Sequence, residues 1–324
     1  MRSKEFQRNI FLENLLSDVN DSLWLSEKQE LGKIRPEFPM IFIMGPHRSG
    51  TTLMLQWLAS LGSIAYPTNL LSRFYGAPIV GSKIQLLLTD KRYSYRDELK
   101  FFDQKVVFSS QNGKTTGALS PNEFWYFWRR FFSVEDSVRY STQELLEKID
   151  VDSFRSELLG ISDVFQKPLA LKGMMLNYNI DFLDKVFNKA IFICMKRDPI
   201  SNIVSALKSR ERQFGDEQEW YSFKIPEYRE LKNLSPVDQV AGQIYYINKA
   251  TESGLNCVSS SRKIIVDYED FCDNPEVVYG DLREKLMQQG VRLDSKYPGR
   301  TGFAVKKHNK GCSPDVLAAF NKFY

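Results

Sequence analysis

A chain of 324 residues, 43% hydrophobic and 26% charged, is long enough for one large α/β domain or two small ones and has the balance of an ordinary globular protein. Its 44 basic and 40 acidic residues leave a net charge of +4, too mild to imply nucleic-acid binding, though a small basic excess also suits a polyanionic nucleotide. The charged N-terminal stretch has no apolar core of a secretory signal and no run of 18 apolar residues occurs, so the expectation is a cytoplasmic enzyme without a membrane span. Cys194, Cys257, Cys272 and Cys312 show no CxxC spacing and read as free thiols of a reducing compartment. With only His47 and His308 to help them, no metal site is expected.

Residues 1–37 read as a polar helical lead-in packed on the domain surface, with an apolar stripe at Phe11, Leu12, Leu15 and Leu16. The run FPMIFIM at 38–44 predicts a buried strand, with Pro39 at its start and Gly45 at its end. Thr51–Leu61 carries apolar residues at helical spacing and stops at Gly62. Residues 63–120 read as loops and short helices, part of a helical and loop insertion over 63–160. A helix dense in aromatics is predicted over 121–132, and two more over 142–166, the first capped by Ser141 or Thr142. Strands then alternate with helices. Strands are predicted at 167–172, 190–196 and 263–268, and helices at Asn179–Asn188, Pro199–Arg212, 236–253 and 275–289. The alternation predicts a mostly parallel sheet covered on both faces, a three-layer α/β/α arrangement, in a single domain over 1–324.

The strongest local signal is a strand, then GPHRSGTT at 45–52, then a helix. Backbone N–H groups of such a loop and the helix N-terminus behind it make an anion site. The spacing Gly45-x4-Gly50 fits a Walker A frame, but Thr51 stands where the Walker lysine belongs. The cation sits inside the loop instead, at Arg48. A donor without a γ-phosphate could be handled by Arg48 and the loop amides without metal.

PHRSGTTLM resembles the 5′-phosphosulfate loop of sulfotransferases, in the PRSGTT form of tyrosylprotein and many bacterial members, with His47 as an extra residue. A second stretch, KRDPISNIVSALKSR at 196–210, resembles the family's R-[ND]-P motif, in which a serine follows the arginine by eight positions, as Ser205 follows Arg197. The resemblance implies a P-loop-NTPase-like fold. It also implies a donor, 3′-phosphoadenosine 5′-phosphosulfate (PAPS), and a product, adenosine 3′,5′-bisphosphate (PAP). Arg48, Ser49, Gly50, Thr51 and Thr52 would hold the phosphosulfate, and Arg197 and Ser205 the 3′-phosphate. Arg supplies a planar fork suited to phosphate and Ser a hydroxyl donor. KIIVDYEDF resembles a late family segment that makes Tyr268 a neighbour of the adenosine. The basic stretch 299–311, with Arg300, Lys306, Lys307 and Lys310, resembles the loop with which several members close the donor site.

Sulfuryl transfer needs an in-line arrangement, a base for the acceptor hydroxyl and cations around the leaving oxygen. Arg48 is the candidate for the leaving-group cation. Lys172, ending the strand KPLALK, is the second, and resembles an active-site lysine of tyrosylprotein members. The family's glutamate base after the phosphate-loop helix has no counterpart in IAYPTNLLSRF. Glu123 is the candidate instead, in GKTTGALSPNEFWYFW, where aromatic walls would desolvate it and raise its pKa. The alternative is that Glu123 caps its own helix. His47, beside the loop, is a weaker rival for the base. The acceptor would be a hydroxyl on a carbohydrate, lipid or small metabolite, bound in a cleft formed by the insertion; the aromatic helix suits stacking on sugars or packing in a core. Two other readings remain open: a P-loop nucleotide kinase with a degenerate Walker A, and a PAPS- or PAP-binding protein without catalysis.

Overall fold

The computed structural model describes all residues except 1, 2, 4, 5, 34, 97, 99–106, 134–138 and 306–312. In chain order the elements are α1 (Ile10–Leu31), β1 (Met40–Met44), α2 (Thr51–Ser60), α3 (Pro78–Thr89), α4 (Trp125–Phe131), α5 (Thr142–Lys148) and α6 (Val151–Phe165). There follow β2 (Leu169–Lys172), α7 (Ile180–Val186), β3 (Ala190–Lys196), α8 (Pro199–Phe214), α9 (Tyr228–Leu231) and α10 (Pro236–Asn256). The last are β4 (Lys263–Asp267), α11 (Tyr268–Asp273), α12 (Pro275–Gln288) and α13 (Pro314–Phe323).

The four strands form one parallel sheet in the order β2-β1-β3-β4. Every residue of β1 and β2 is buried, as continuous apolar runs covered on both faces require. Strand alternation divides the core. Met40, Phe42 and Met44 face one layer with Phe127, Phe154 and Phe182. Ile41 and Ile43 face the other with Trp57, Phe271 and Leu282. This is the three-layer α/β arrangement predicted, with helices on both sides of a parallel sheet.

Two long-range polar contacts fix the flanking helices. The buried carboxylate of Glu27, on α1, accepts from the N–H groups of Ile79 and Val80 at 2.9 and 3.0 Å, capping α3 from another helix. Arg130 on α4 grips the buried Glu157 of α6 with two hydrogen bonds of 2.7 and 2.9 Å. Of the N-terminal stripe, Leu16 is buried, whereas Phe11 and Leu15 face solvent.

Three predicted features shift. The helix placed over 121–132 begins only at Trp125, because Phe124 adopts a left-handed φ of 59°. Tyr268 does not close the last strand; β4 ends at Asp267 and Tyr268 opens α11. The stretch 63–120 is less irregular than expected, since α3 supplies three turns. Ser141 makes the expected cap of α5, in a full capping box with Glu144. Cys194, Cys257 and Cys272 are free thiols; Cys312 lies outside the described residues.

Candidate functional site

The carboxyl ends of the four strands line up along one rim, where open α/β sheets bind ligands. In sheet order they deliver Lys172 from β2, the loop at 45–50 from β1, Arg197 after β3 and Tyr268 after β4. Above this rim lies a cleft of about 1740 Å3.

The loop after β1 is held by its own turns and by one buried amide. Asn177 accepts from the Gly45 N–H at 2.9 Å and donates to the Gly45 carbonyl at 3.0 Å. Ser49 Oγ donates to the Pro46 carbonyl at 2.7 Å. Arg48 sits at φ 65°, an uncommon conformation for a non-glycine residue. Gly50 has φ 98°, and a Cβ there would stand 2.4 Å from the ring of Tyr268, so no other residue fits. Gly50 begins α2 without a side-chain cap, and Gly50, Thr51 and Thr52 line the cleft. Free N–H groups at the first turn of a helix are suited to an anion.

The second anchor meets the first. Arg197 Nη1 donates to the carbonyl of Arg48 at 2.8 Å, and its guanidinium lies over the Tyr268 ring at 4.6 Å. Arg48 Nε in turn donates to Ser205 Oγ at 3.3 Å, from one residue of α8 that is buried against the loop. Arg197, Ser205 and Tyr268 therefore gather around Arg48 and Gly50. Burial lowers the pKa of Arg197 and pushes that of Tyr268 up to about 12. Together they make a basic, partly desolvated corner suited to a phosphate.

On the opposite side Lys172 Nζ donates to Thr52 Oγ1 at 2.9 Å and forms an ion pair with Glu123. Glu123 also accepts from Trp125 Nε1 at 2.5 Å. It precedes the left-handed Phe124, outside α4, so it does not cap that helix. The aromatic rings of this segment divide between the cleft and the core. Phe124, Phe127, Trp128 and Phe132 pack in the core, and of this helix's rings only Trp125 and Tyr126 reach the cleft.

A tight turn covers the carboxylate. Gln111 and Lys114 exchange backbone hydrogen bonds of 2.8 and 2.9 Å, with Asn112 at φ 49° and Gly113 at φ 85° between them. These are the positive φ values of a type I′ turn, for which Asn-Gly is the favoured pair. A Cβ on Gly113 would come within 2.6 Å of Glu123 Oε1. Asn112 ties the turn to α8, donating to the Ser209 carbonyl and accepting from Arg212, both at 3.2 Å.

His47 lies in the loop with 3% of its surface exposed and its ring edge-on to Tyr221. Burial, with Arg48 and Arg210 nearby, drives its pKa down to about 3. Neither ring nitrogen has a partner among the described residues. The 63–160 insertion supplies part of the cleft wall, between Phe108 and Arg129. No described residue from 57 to 107 lines the cleft, whereas Arg8 just before α1, Glu13 on it, and Lys208, Trp220 and Tyr228 do. Arg300 also lines it, stacked on Phe108 at 4.6 Å. Lys306, Lys307 and Lys310 lie outside the described residues. The sequence reading missed Asn177, the Asn112-Gly113 turn and Tyr221; only the turn had a local signal, its Asn-Gly pair.

Residues 39–287 match the profile of the Sulfotransferase family. No curated protein matches the chain in sequence. Among solved structures it is similar to the sulfotransferase STF1 from Mycobacterium tuberculosis H37Rv, at 12% identity and a TM-score of 0.52 over 94% of this chain and 76% of that one. It is also similar to the sulfotransferase STF9 from Mycobacterium avium, at 14% identity and a TM-score of 0.51 over 99% of this chain and 78% of that one. At such identities the likeness speaks for the fold, and the profile speaks for the chemistry. The chain belongs to the sulfotransferase family, enzymes that transfer sulfuryl groups.

Proposed function

We propose that the donor is PAPS and that the chain moves its sulfuryl group by in-line displacement to a hydroxyl of an acceptor bound beyond Glu123. The loop amides of Ser49, Gly50, Thr51 and Thr52, with Arg48, hold the 5′-phosphosulfate. Arg197 and Ser205 hold the 3′-phosphate, and Tyr268 neighbours the nucleoside. The observation that carries this reading is the meeting of the β3–α8 anchor with the β1–α2 loop at one residue: Ser205 on the Arg48 side chain, Arg197 on the Arg48 carbonyl. A doubly anchored anionic nucleoside fits that corner better than a triphosphate, whose Walker lysine is replaced by Thr51.

Glu123 takes the proton of the acceptor hydroxyl. Lys172 orients that carboxylate and, with Arg48, opposes the charge that grows on the leaving oxygen. His47 also lines the cleft but makes the poorer base, because its ring is almost wholly buried against Tyr221 and burial holds its pKa down to about 3. The cleft is roomy, and Trp125, Tyr126, Trp220, Tyr228, Arg129 and Lys208 are among the residues that line it. This supports a hydroxyl carried on a carbohydrate, lipid or other sizeable metabolite. The whole chain acts as one catalytic domain, and no helix among the described residues is long and apolar enough to cross a membrane. Isothermal titration separates the donor classes. Tight binding of PAP with none of ATP–Mg2+ is expected; the reverse preference would return the chain to the kinase reading.

A further inference from the structure

The segment between α8 and α9 carries a side chain that none of the roles above uses. Tyr221 is 7% exposed and lines the cleft. Its ring stands edge-on to His47 with 5.4 Å between centroids. Its charged neighbours are Arg48, Glu123 and Arg212. Its hydroxyl has no hydrogen-bond partner among the described residues.

The backbone around it is constrained. Ser222 sits at φ 73°, a left-handed conformation that strains a non-glycine residue. Three hydrogen bonds enforce it. The fully buried Gln243 donates to the carbonyls of Tyr221 and Phe223, on either side of the strained residue, at 3.2 Å each. Trp220 Nε1 donates to the Phe223 carbonyl at 3.1 Å. Strain that survives at the edge of a cleft holds something in place, and here it is the residue before the strained one.

Packing explains the ring but not the hydroxyl. A phenylalanine would fill the same space against His47, whereas the hydroxyl, on a residue that lines the cleft, is available to whatever occupies it. The cleft, when filled, supplies the missing acceptor. What lies between Arg48 on the donor side and Glu123 on the acceptor side is the group in transit. We propose that the Tyr221 hydroxyl donates a hydrogen bond to the sulfuryl group of the bound donor. The inference rests on the PAPS reading above.

Burial, with Glu123 nearby, pushes the Tyr221 phenol up to about 12, so it keeps its proton and serves as a donor rather than a base. His47 then has a task as well: it seats the Tyr221 ring from behind. Charge on the sulfuryl oxygens persists through a loose transfer, and a fixed donor aimed at them costs no reorganisation.

Tyr221→Phe keeps the ring and removes only the hydroxyl. Wild type and variant are titrated with PAPS and with PAP, without acceptor. The variant's affinity for PAPS is expected to fall about tenfold, the range of one hydrogen bond to a charged group, while PAP binds within twofold of wild type. Unchanged PAPS affinity overturns the inference and leaves the donor reading standing. Equal weakening of both nucleotides also overturns it, since a disturbed loop would not single out the sulfuryl group. Wild type binding neither nucleotide would instead remove the donor reading on which it rests. Ser222→Gly relieves the strain without touching the hydroxyl and is expected to keep the wild-type ratio of the two affinities; a tenfold lower ratio would assign the effect to the loop and overturn the role of the hydroxyl.

Discussion

On the donor wall of the cleft, the loop carrying Arg48, Arg197 and Tyr268 each leave the carboxyl end of a strand in one parallel sheet. On the proposed acceptor wall, Gly113 and Glu123 come from connecting segments, brought together by side chains that reach across the fold, and Tyr221, assigned to the sulfuryl group between the two walls, is held in the same way. Lys172 is the junction, a strand-end residue whose ammonium grips Thr52 on one wall and Glu123 on the other. A sheet places groups by backbone register, which is stiff and largely indifferent to single substitutions. Tethered loops place groups by individual hydrogen bonds, each worth about 1 kcal/mol, and can be displaced by one change. The donor wall should therefore lose affinity in proportion to the contact removed, and the acceptor wall should lose turnover.

The largest effect is expected at Glu123. Glu123→Gln should lower turnover by about 10²–10⁴-fold, the contribution of a positioned base, with PAP affinity unchanged. Steady-state rates beside PAP titrations check it, and a variant that keeps full turnover would take the base away from this wall. Lys172→Ala should act on the same step, so the double variant should fall well short of the sum of the two single losses.

Next comes His47, which lies in the loop at 45–52 with its ring packed against Tyr221. Its pKa is about 3 in the folded chain, against an ordinary value of about 6.5. Between those values the unfolded chain takes up a proton that the folded chain refuses, so stability falls as the pH drops from 6.5 towards 3. At pH 5 the loss is about 2 kcal/mol. His47→Gln does not titrate, so denaturant melts at pH 7.5 and 5 should show a smaller acid loss for the variant by about that amount. Equal losses would place the imidazole in contact with solvent.

A smaller effect is expected from the turn. Gly113→Ala strains a positive φ and drives a methyl group against the Glu123 carboxylate. Turnover should fall about tenfold, the range of a small misplacement of a reacting group, while PAP affinity holds. Unaltered turnover would mean that the carboxylate has slack. The mildest change is Ser205→Ala. Removing one hydroxyl from an anchor that keeps Arg197 should weaken PAP about fivefold, and a weakening equally large for AMP would show that Ser205 does not read the 3′-phosphate.

The same contrast explains what could be read from the sequence. Each donor-wall motif is contiguous: a strand, a turn and a helix start within a dozen residues, so FPMIFIMGPHRSGTT and AIFICMKRDP carry their own geometry. The spacing from Arg197 to Ser205 specified two turns of α8, and the two residues do meet the loop. Across the cleft, the local signals were ambiguous. The aromatic density of 124–132 fitted either stacking on an acceptor or packing in a core, and the period of α4 splits it, turning Phe127 and Phe131 inward and leaving Trp125 and Tyr126 on the cleft. Glu123 finds Lys172 at 49 positions' distance, which no pattern announces. Tyr221 depends on Gln243, two elements later, and on a strained serine whose backbone angle leaves no mark in composition. Asn112-Gly113 was the exception, a legible turn whose partners were not.

The central claim, that Arg197 and the loop at 45–52 grip opposite ends of one doubly anionic nucleoside, is tested most directly by titrating wild type and Arg197→Ala with PAP and with AMP. PAP should weaken by about 10–100-fold, the range of a lost charge-assisted contact, while AMP, which has no 3′-phosphate, changes by less than about twofold. Equal weakening of both would contradict it, leaving Arg197 as a prop for the Arg48 carbonyl and the cleft without its second anion site.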